Sequence, residues 1–360
     1  MGWWATRATP RPANPEKVSA SLWKRIEDVP KPLLCVPLVA QWLWLTLRYG
    51  SATLPSAVNP GISCGGLVGE SKAACLEQIG ARFADAVAPW RLVEPGDDPV
   101  RVRHSLACPY PLIAKPDVGW CGFGVRRIEN DSELLAYAEA FPQQSPFILQ
   151  RLVEAPLEAG LFYSRDCEAG TGRLLSVTIR HTPSVLGDGQ RETRALIGAD
   201  RRLRRHAAAF AASLRQEQLE RVPEPGEKLV LTTVASLRVG ACYEDVSWCI
   251  TETLQAKVDA IARSMDRFHW GPFDVRFASL KALRAGDFEI IEVNGAGSEA
   301  INFWDPSIPL LASFRVVFAK QVQLFRLGAA MRRSGHLPVG VLGLAQAWLR
   351  QRRLIAAYPV

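Results

Sequence analysis

Two short apolar segments, Phe273-Asp274-Val275-Arg276-Phe277 and Phe288-Glu289-Ile290-Ile291-Glu292-Val293-Asn294, constrain this chain more than any other feature. Strand side chains alternate between the two faces of a sheet. That period puts Asp274 and Arg276 together on one face of the first segment, and Glu292 with Asn294 together on one face of the second. A turn around Ala285-Gly286-Asp287 makes the two strands neighbours, so two carboxylates, an amide and a guanidinium reach one cleft. A surface ladder of ion pairs is the bland alternative. It does not explain an acidic residue set into the run Ile-Ile-Glu-Val, where an unpaired charge is costly. Magnesium takes one or two protein carboxylates and completes its shell with phosphate oxygens and water. Asp274, Glu292 and Asn294 are a suitable set for it, with manganese as an alternative ion.

The rest of the sequence narrows the class. A chain of 360 residues, 48% hydrophobic and 22% charged, is long enough for two or three structural lobes. Its formal charge of +7 is diffuse, with one dense cluster from Arg201 to Arg205. That suits a protein handling phosphates at least as well as a nucleic-acid binder, and no nucleic-acid recognition motif is present. The eight cysteines lie far apart with no Cys-x-x-Cys pair, which points away from zinc and disulfides and toward reduced thiols in the cytoplasm. Met1 to Arg11 lacks the pattern of a secretory signal.

Along the chain, the first thirty residues read as a weakly structured lead-in with one short helix. Leu33 to Leu47 is an apolar run too short to span a bilayer; it is read either as a buried helix or as a peripheral membrane contact within residues 33–50, with Trp42 and Trp44 at the headgroups. The glycine-rich stretch Asn59 to Lys72 leads into a helical pattern but fails as a P-loop, because Gly69 is followed by Glu-Ser-Lys. Its glycines make a tight turn, or its helix N-terminus holds an anion with Lys72 in support. Residues 85 to 109 read as strand and loop. Strands are expected at Leu112 to Lys115, Phe147 to Leu152, Gly160 to Tyr163, Leu174 to Arg180, Phe273 to Phe277 and Phe288 to Val293. Helices are expected at Ser132 to Phe141, Thr193 to Gln218, Thr253 to Asp266 and over most of the chain after Ser307, including an amphipathic tail from Gly340 to Ala357. The plan is α+β.

Lys115, at a strand end in Ile-Ala-Lys-Pro-Asp, offers a point charge for phosphate, and Gly119, Gly122 and Gly124 allow a loop to fold over phosphates. The order of Lys115, this loop, Phe147 to Val153, Gly187-Asp188-Gly189, Phe-Asp-Val-Arg-Phe and Glu-Val-Asn resembles the ATP-grasp superfamily over residues 105 to 305. The resemblance is to its carboxylate-amine ligases, such as D-alanine-D-alanine ligase and cyanophycin synthetase.

The resemblance implies two α+β lobes clasping ATP, with an amino-terminal lobe and a helical carboxy-terminal tail: residues 1–104, a lid subdomain 105–165, a metal and substrate subdomain 166–330, and the tail 331–360. Lys115 would contact the α- and β-phosphates, and Gly119, Gly122 and Gly124 would form a mobile lid. Gln150, Leu152 and Val153 match the adenine strand, although many relatives carry Glu where this chain has Gln150. Glu158 fits the ribose carboxylate by spacing, with Glu154 as the alternative. Asp274, Glu292 and Asn294 match the metal ligands. Arg276 would stabilise the transferring phosphoryl group, unless it forms a structural ion pair with those carboxylates. Arg180 lies in a substrate-side segment; His181 beside it is read first as a structural histidine. Ser298 and Glu299 would bind the amine-bearing partner, or form an ordinary turn. The implied activity is ATP-dependent joining of a small carboxylate and an amine through an acyl phosphate. An ATP-grasp phosphotransferase and a non-catalytic nucleotide-binding protein at a membrane surface are the alternatives, and ligases of this type are often homodimers.

Overall fold

The computed structural model describes residues 29–167 and 170–359. The expected lead-in helix before residue 29 lies outside the described residues. Helices are α1 (Lys31–Tyr49), α2 (Lys72–Glu77), α3 (Pro99–Leu106), α4 (Asp131–Ala140), α5 (Thr193–Ala199), α6 (Ala207–Ser213), α7 (Gln216–Glu220), α8 (Glu252–Ser264), α9 (Leu280–Arg284), α10 (Leu310–Arg333) and α11 (Val341–Ala357). Strands are β1 (Trp90–Val93), β2 (Leu112–Pro116), β3 (Arg126–Ile128), β4 (Phe147–Arg151), β5 (Leu157–Arg165), β6 (Gly172–His181), β7 (Ser184–Leu186), β8 (Lys228–Val230), β9 (Cys242–Asp245), β10 (Trp270–Phe277) and β11 (Glu289–Val293).

The fold is α+β, with antiparallel sheets in the orders β1-β4-β2-β3, β11-β10-β5-β6-β9 and β7-β8. In the five-stranded sheet, alternation sorts the side chains as expected. Phe273, Val275 and Phe277 join the main core, where α8 packs Leu254, Val258, Ile261 and Ala262. Asp274 and Arg276 occupy the opposite face. A second core lies between the four-stranded sheet, α3 and α4; the tail helix α11 adds Leu354 and Ile355 to it, and Tyr358 follows at the helix end.

Several expectations need correction. The segment Thr193 to Gln218 is not one helix: α5 stops at Ala199, and the Asp200 carboxylate accepts the N–H groups of Arg202 and Leu203, which starts a new turn. Residues 85 to 109 include helix α3, capped by Asp98, as well as strand β1. The link between β10 and β11 contains helix α9 before its turn. Strand β1, before residue 105, pairs with β4, while β5, inside 105–165, pairs with β6 and β10 of the other sheet.

Leu33 to Leu47 is helical, and the buried-helix reading holds for only part of it. Leu34 and Leu45 are buried against other elements, but a whole apolar face is exposed. Among the described residues, no helix is long and apolar enough to cross a membrane. All eight cysteines are free thiols.

Candidate active site

Strands β10 and β11 bring Asp274 and Glu292 directly opposite each other. The next pair is Val275 with Ile290, so Ile291 is the extra residue of a β-bulge. The bulge has a chemical use. The Ile291 carbonyl, released from the ladder, accepts a hydrogen bond from Lys115 Nζ at 2.7 Å, and Gln150 Oε1 accepts a second at 2.8 Å. Lys115 is thereby carried from the four-stranded sheet to the Asp274–Glu292 pair on the five-stranded one. Burial depresses its pKa to about 8, against the pull of Glu292 and Asp274. Gln150 is itself buried and donates to the Ala88 carbonyl at 3.3 Å, so it supports Lys115 at the edge of β1.

Asp274 is buried, and Arg180 Nη2 donates to its Oδ1 at 2.6 Å. The guanidinium reaches it by crossing Gly160, the partner of Asp274 on β5. A Cβ at Gly160 would stand 3.3 Å from Ile301 Cδ1 and 3.5 Å from Asp274 Oδ1, so a side chain there would crowd the pair. Arg180, expected on the substrate side, is therefore the arginine that faces the acidic pair. Arg276 is not. It donates to Glu158 Oε2 from Nη2 at 3.1 Å and from Nε at 3.3 Å, and to the Val153 carbonyl at 3.1 Å. Its ion-pair partner is thus Glu158 rather than Asp274 or Glu292.

Two residues from the glycine-rich loop complete the cluster, and sequence reasoning had missed one of them altogether. Glu70 Oε2 accepts the Gly295 N–H at 2.8 Å, and Lys72 Nζ lies 3.7 Å from Glu292 Oε1. The Asn294 amide nitrogen lies 2.9 Å from Glu292 Oε1 and 3.2 Å from Glu70 Oε1. The other end of that amide is 3.4 Å from Asp274 Oδ2. The loop reaches this position by backbone contact: Gly66 has φ +75°, and a Cβ there would fall 2.5 Å from Gly295 Cα. The Ala296 N–H donates to Gly65 O, and the Gly297 N–H to Gly66 O. The signal in the sequence is Glu70-Ser71-Lys72, where Lys72 is read as support for an anion and Glu70 only as part of the failed P-loop match.

The helix that follows is not a vacant anion site. Helix α2 has six residues; Ser71 caps it through Ala74 N, and Asp117 Oδ1 takes the Ala73 N–H at 2.8 Å. The Asp117 carboxylate that locks this turn also belongs to the Lys-Pro-Asp sequence that ends β2.

Electrostatically, the cluster sets Glu70, Glu158, Asp274 and Glu292 against Lys72, Lys115, Arg180 and Arg276. Burial raises the pKa of Asp274, outweighing Arg180, and the charge of Glu292 adds to the rise. Burial also acts on Glu292, but Lys72, Lys115 and Arg180 outweigh it and keep this carboxylate ionised. Burial pushes Glu70 up to about 7. Carboxylates raised in this way are those that a divalent cation would relieve.

The donor chemistry fits such an ion. Asp274, Glu292 and Asn294 offer hard oxygen donors: with the Asn294 nitrogen turned to Glu292 and Glu70, its oxygen faces Asp274 Oδ2, while Arg180 takes Oδ1. Among the described residues, no three His, Cys, Asp or Glu side chains form a metal cage by themselves. Magnesium needs only one or two protein carboxylates and draws the rest of its shell from phosphate and water.

The remaining expected residues fall around this centre. Gly119, Gly122 and Gly124 lie in the loop between β2 and β3, with Gly122 and Gly124 at positive φ. That loop is gripped from two sides. Arg238 donates to Cys121 O at 3.1 Å and lies 4.2 Å over the Phe123 ring, while Tyr358 OH donates to Val118 O. Leu152, Val153 and exposed Glu154 form the link from β4 to β5. Glu158 is turned to Arg276 and Arg180, whereas Glu154 faces solvent. The Ser298 carbonyl accepts from Lys320 on α10, and Glu299 accepts from Trp304 Nε1 at 2.8 Å. His181 is half-exposed, 2.8 Å from Glu244 and away from the cluster.

No family model matches the chain, and no curated protein does. Among solved structures, the chain is similar to D-alanine–D-alanine ligase from Bacillus anthracis at 12% identity and a TM-score of 0.43, covering 76% of this chain and 72% of that one. The same enzyme complexed with ATP matches at 12% identity and a TM-score of 0.39, covering 76% and 70%. A bifunctional glutathione synthetase from Pasteurella multocida matches at 12% and 0.37, covering 71% of this chain and 35% of that one.

Proposed function

We propose that this chain is an ATP-dependent carboxylate-amine ligase of ATP-grasp type that works through an acyl phosphate. The observation that carries the reading is the cross-strand pair Asp274 and Glu292, with Asn294 beside it, faced by two buried lysines from separate parts of the chain. A buried acidic pair flanked by Lys72, Lys115 and Arg180 is suited to a polyanion that arrives with its own cation.

In this reading the β- and γ-phosphates lie between Lys115, Lys72 and the acidic pair, and the glycine loop 119–124 covers them. Magnesium bound by Asp274, Glu292 and Asn294 would supply charge neutralisation on the phosphates. An oxygen of the substrate carboxylate attacks the γ-phosphorus, and the bond from that phosphorus to the β-phosphate oxygen breaks, so ADP leaves with the electron pair. The amine nitrogen then attacks the acyl carbon and loses a proton, and the carbon–oxygen bond breaks to release phosphate. Lys72 and Lys115 hold charge that develops on transfer, and Arg180 orients the Asp274 carboxylate. Arg276 is a positioning residue: it ties Glu158 to the β4–β5 link, the segment that would receive adenine. Exclusion of water by the gripped glycine loop protects the acyl phosphate from hydrolysis.

The test is product stoichiometry with paired panels of small carboxylates and amines. ADP and inorganic phosphate in equal amounts, formed only when both cosubstrates are present, is the expected result. ADP without phosphate release identifies a phosphotransferase, and the absence of ADP with every pair contradicts enzymatic turnover.

A further inference from the structure

The exposed face of α1 has a sharply one-sided composition. Leu33, Val36, Ala40, Leu43, Trp44 and Leu47 follow the spacing that places side chains on one side of a helix. All six are exposed, and Leu47 is 84% accessible. The opposite side is anchored to α10. Trp42 meets the Phe325 ring edge-on at 5.0 Å, Gln41 donates to Phe318 O, and Arg332 donates to Tyr49 O at 3.1 Å. The helix is therefore fixed with its apolar ridge outward, and the ridge is not the product of a loose segment.

The charges around it are equally one-sided. Helix α1 contains no Asp or Glu. Its last turn carries Arg48, whose guanidinium lies 5.3 Å from the Trp44 ring, and Arg332 sits against the same end. Arg326 and Arg333 line a 210 Å³ hollow with Tyr49, and among the described residues that line it Asp166 is the one acidic side chain. An apolar ridge ending in Trp and Arg matches the acyl boundary and phosphate layer of a lipid leaflet. A second copy of the chain would set like-charged arginine ends against apolar surface, a poorer match.

We propose that this face of α1 lies in the interface of an anionic lipid membrane, with the ridge Leu33 to Leu47 in the acyl boundary and Arg48, Arg326 and Arg332 against lipid phosphates. Among the described residues, no helix is long and apolar enough to cross the bilayer, so α1 is placed along its surface. Helix α10 backs the ridge and also holds the Ser298 carbonyl through Lys320, so the lipid-facing surface is one helix removed from the loop that follows the acidic pair.

Flotation of the full chain with phosphatidylcholine vesicles, with and without phosphatidylserine, tests this independently of catalysis. The wild type is expected to float with the phosphatidylserine vesicles and to be released by high salt. Leu43→Glu and Leu47→Glu each lower partitioning roughly tenfold or more, and the exposure of both residues leaves the melting transition unchanged. Arg48→Glu and Arg326→Glu each weaken binding to anionic vesicles at least about fivefold, with little effect on neutral ones. Failure of the wild type to float overturns the proposal. So does flotation that persists in the Leu43→Glu, Leu47→Glu double variant, or a wild-type dimer in light scattering that the double variant converts to monomer.

Discussion

Asp274→Asn is expected to lower ADP formation by about 10³-fold at saturating ATP, the scale of removing a group that acts on transition-state charge. The change keeps the size of the side chain and removes its charge. Arg180 then loses the carboxylate 2.6 Å away and keeps Glu158, at 3.8 Å, and the charge of Glu292. Breaking a buried ion pair from one side costs about 3 kcal/mol, so the variant also melts earlier. The two effects separate in a binding assay. A variant that folds, binds nucleotide weakly and does not form ADP has lost the site; one that forms ADP at the wild-type rate shows that Asp274 is only structural.

The largest purely structural effect is expected at Asn59. This side chain is fully buried and uses both ends of its amide. Its Oδ1 accepts the N–H groups of His269 at 2.8 Å and Trp270 at 3.0 Å. Its Nδ2 donates to Trp270 O at 2.8 Å and Gly65 O at 3.1 Å. One amide thus fastens the glycine loop to the start of β10, the strand carrying Asp274. Asn59→Ala leaves two buried N–H groups without acceptors, each costing about 1–3 kcal/mol, and opens a cavity besides. A loss of about 4 kcal/mol in denaturant unfolding is the expected result. Because Glu70 and Lys72 follow that loop, activity is expected to fall even at temperatures where the variant remains folded. A loss below about 1 kcal/mol would contradict this anchoring.

The acidic pair was legible because alternation along two strands is a local property: Asp274 and Glu292 had to face one side if the strands paired in register. Asn294 followed from the same period. The bulge at Ile291 was not legible, since it depends on how β11 accommodates the Lys115 ammonium from another sheet. Glu70 escaped for a similar reason. Its carboxylate joins the site only because Gly65 and Gly66 dock against Gly295 and Gly297, more than two hundred residues away, and no local pattern records that contact. That Arg180 and not Arg276 meets Asp274 follows from their neighbours on β5. Gly160 leaves the space through which Arg180 reaches Asp274, while Arg276 stands opposite Glu158 on β5 and pairs with it. Thr193 to Gln218 misled because apolar spacing suggested a continuous helix, whereas the side chain of Asp200 competes for the N–H groups that would have continued it.

The most direct test of the central claim is the thermal unfolding midpoint of the full chain with ATP and magnesium, together and separately, for the wild type and for Glu292→Ala. A ligand that binds only the folded state stabilises it by about 2.7 kcal/mol at a hundredfold excess over Kd. A rise in the wild-type midpoint that needs both ATP and magnesium and disappears in Glu292→Ala is the result the account predicts. An unchanged midpoint in well-folded wild-type protein at saturating nucleotide and metal would contradict it.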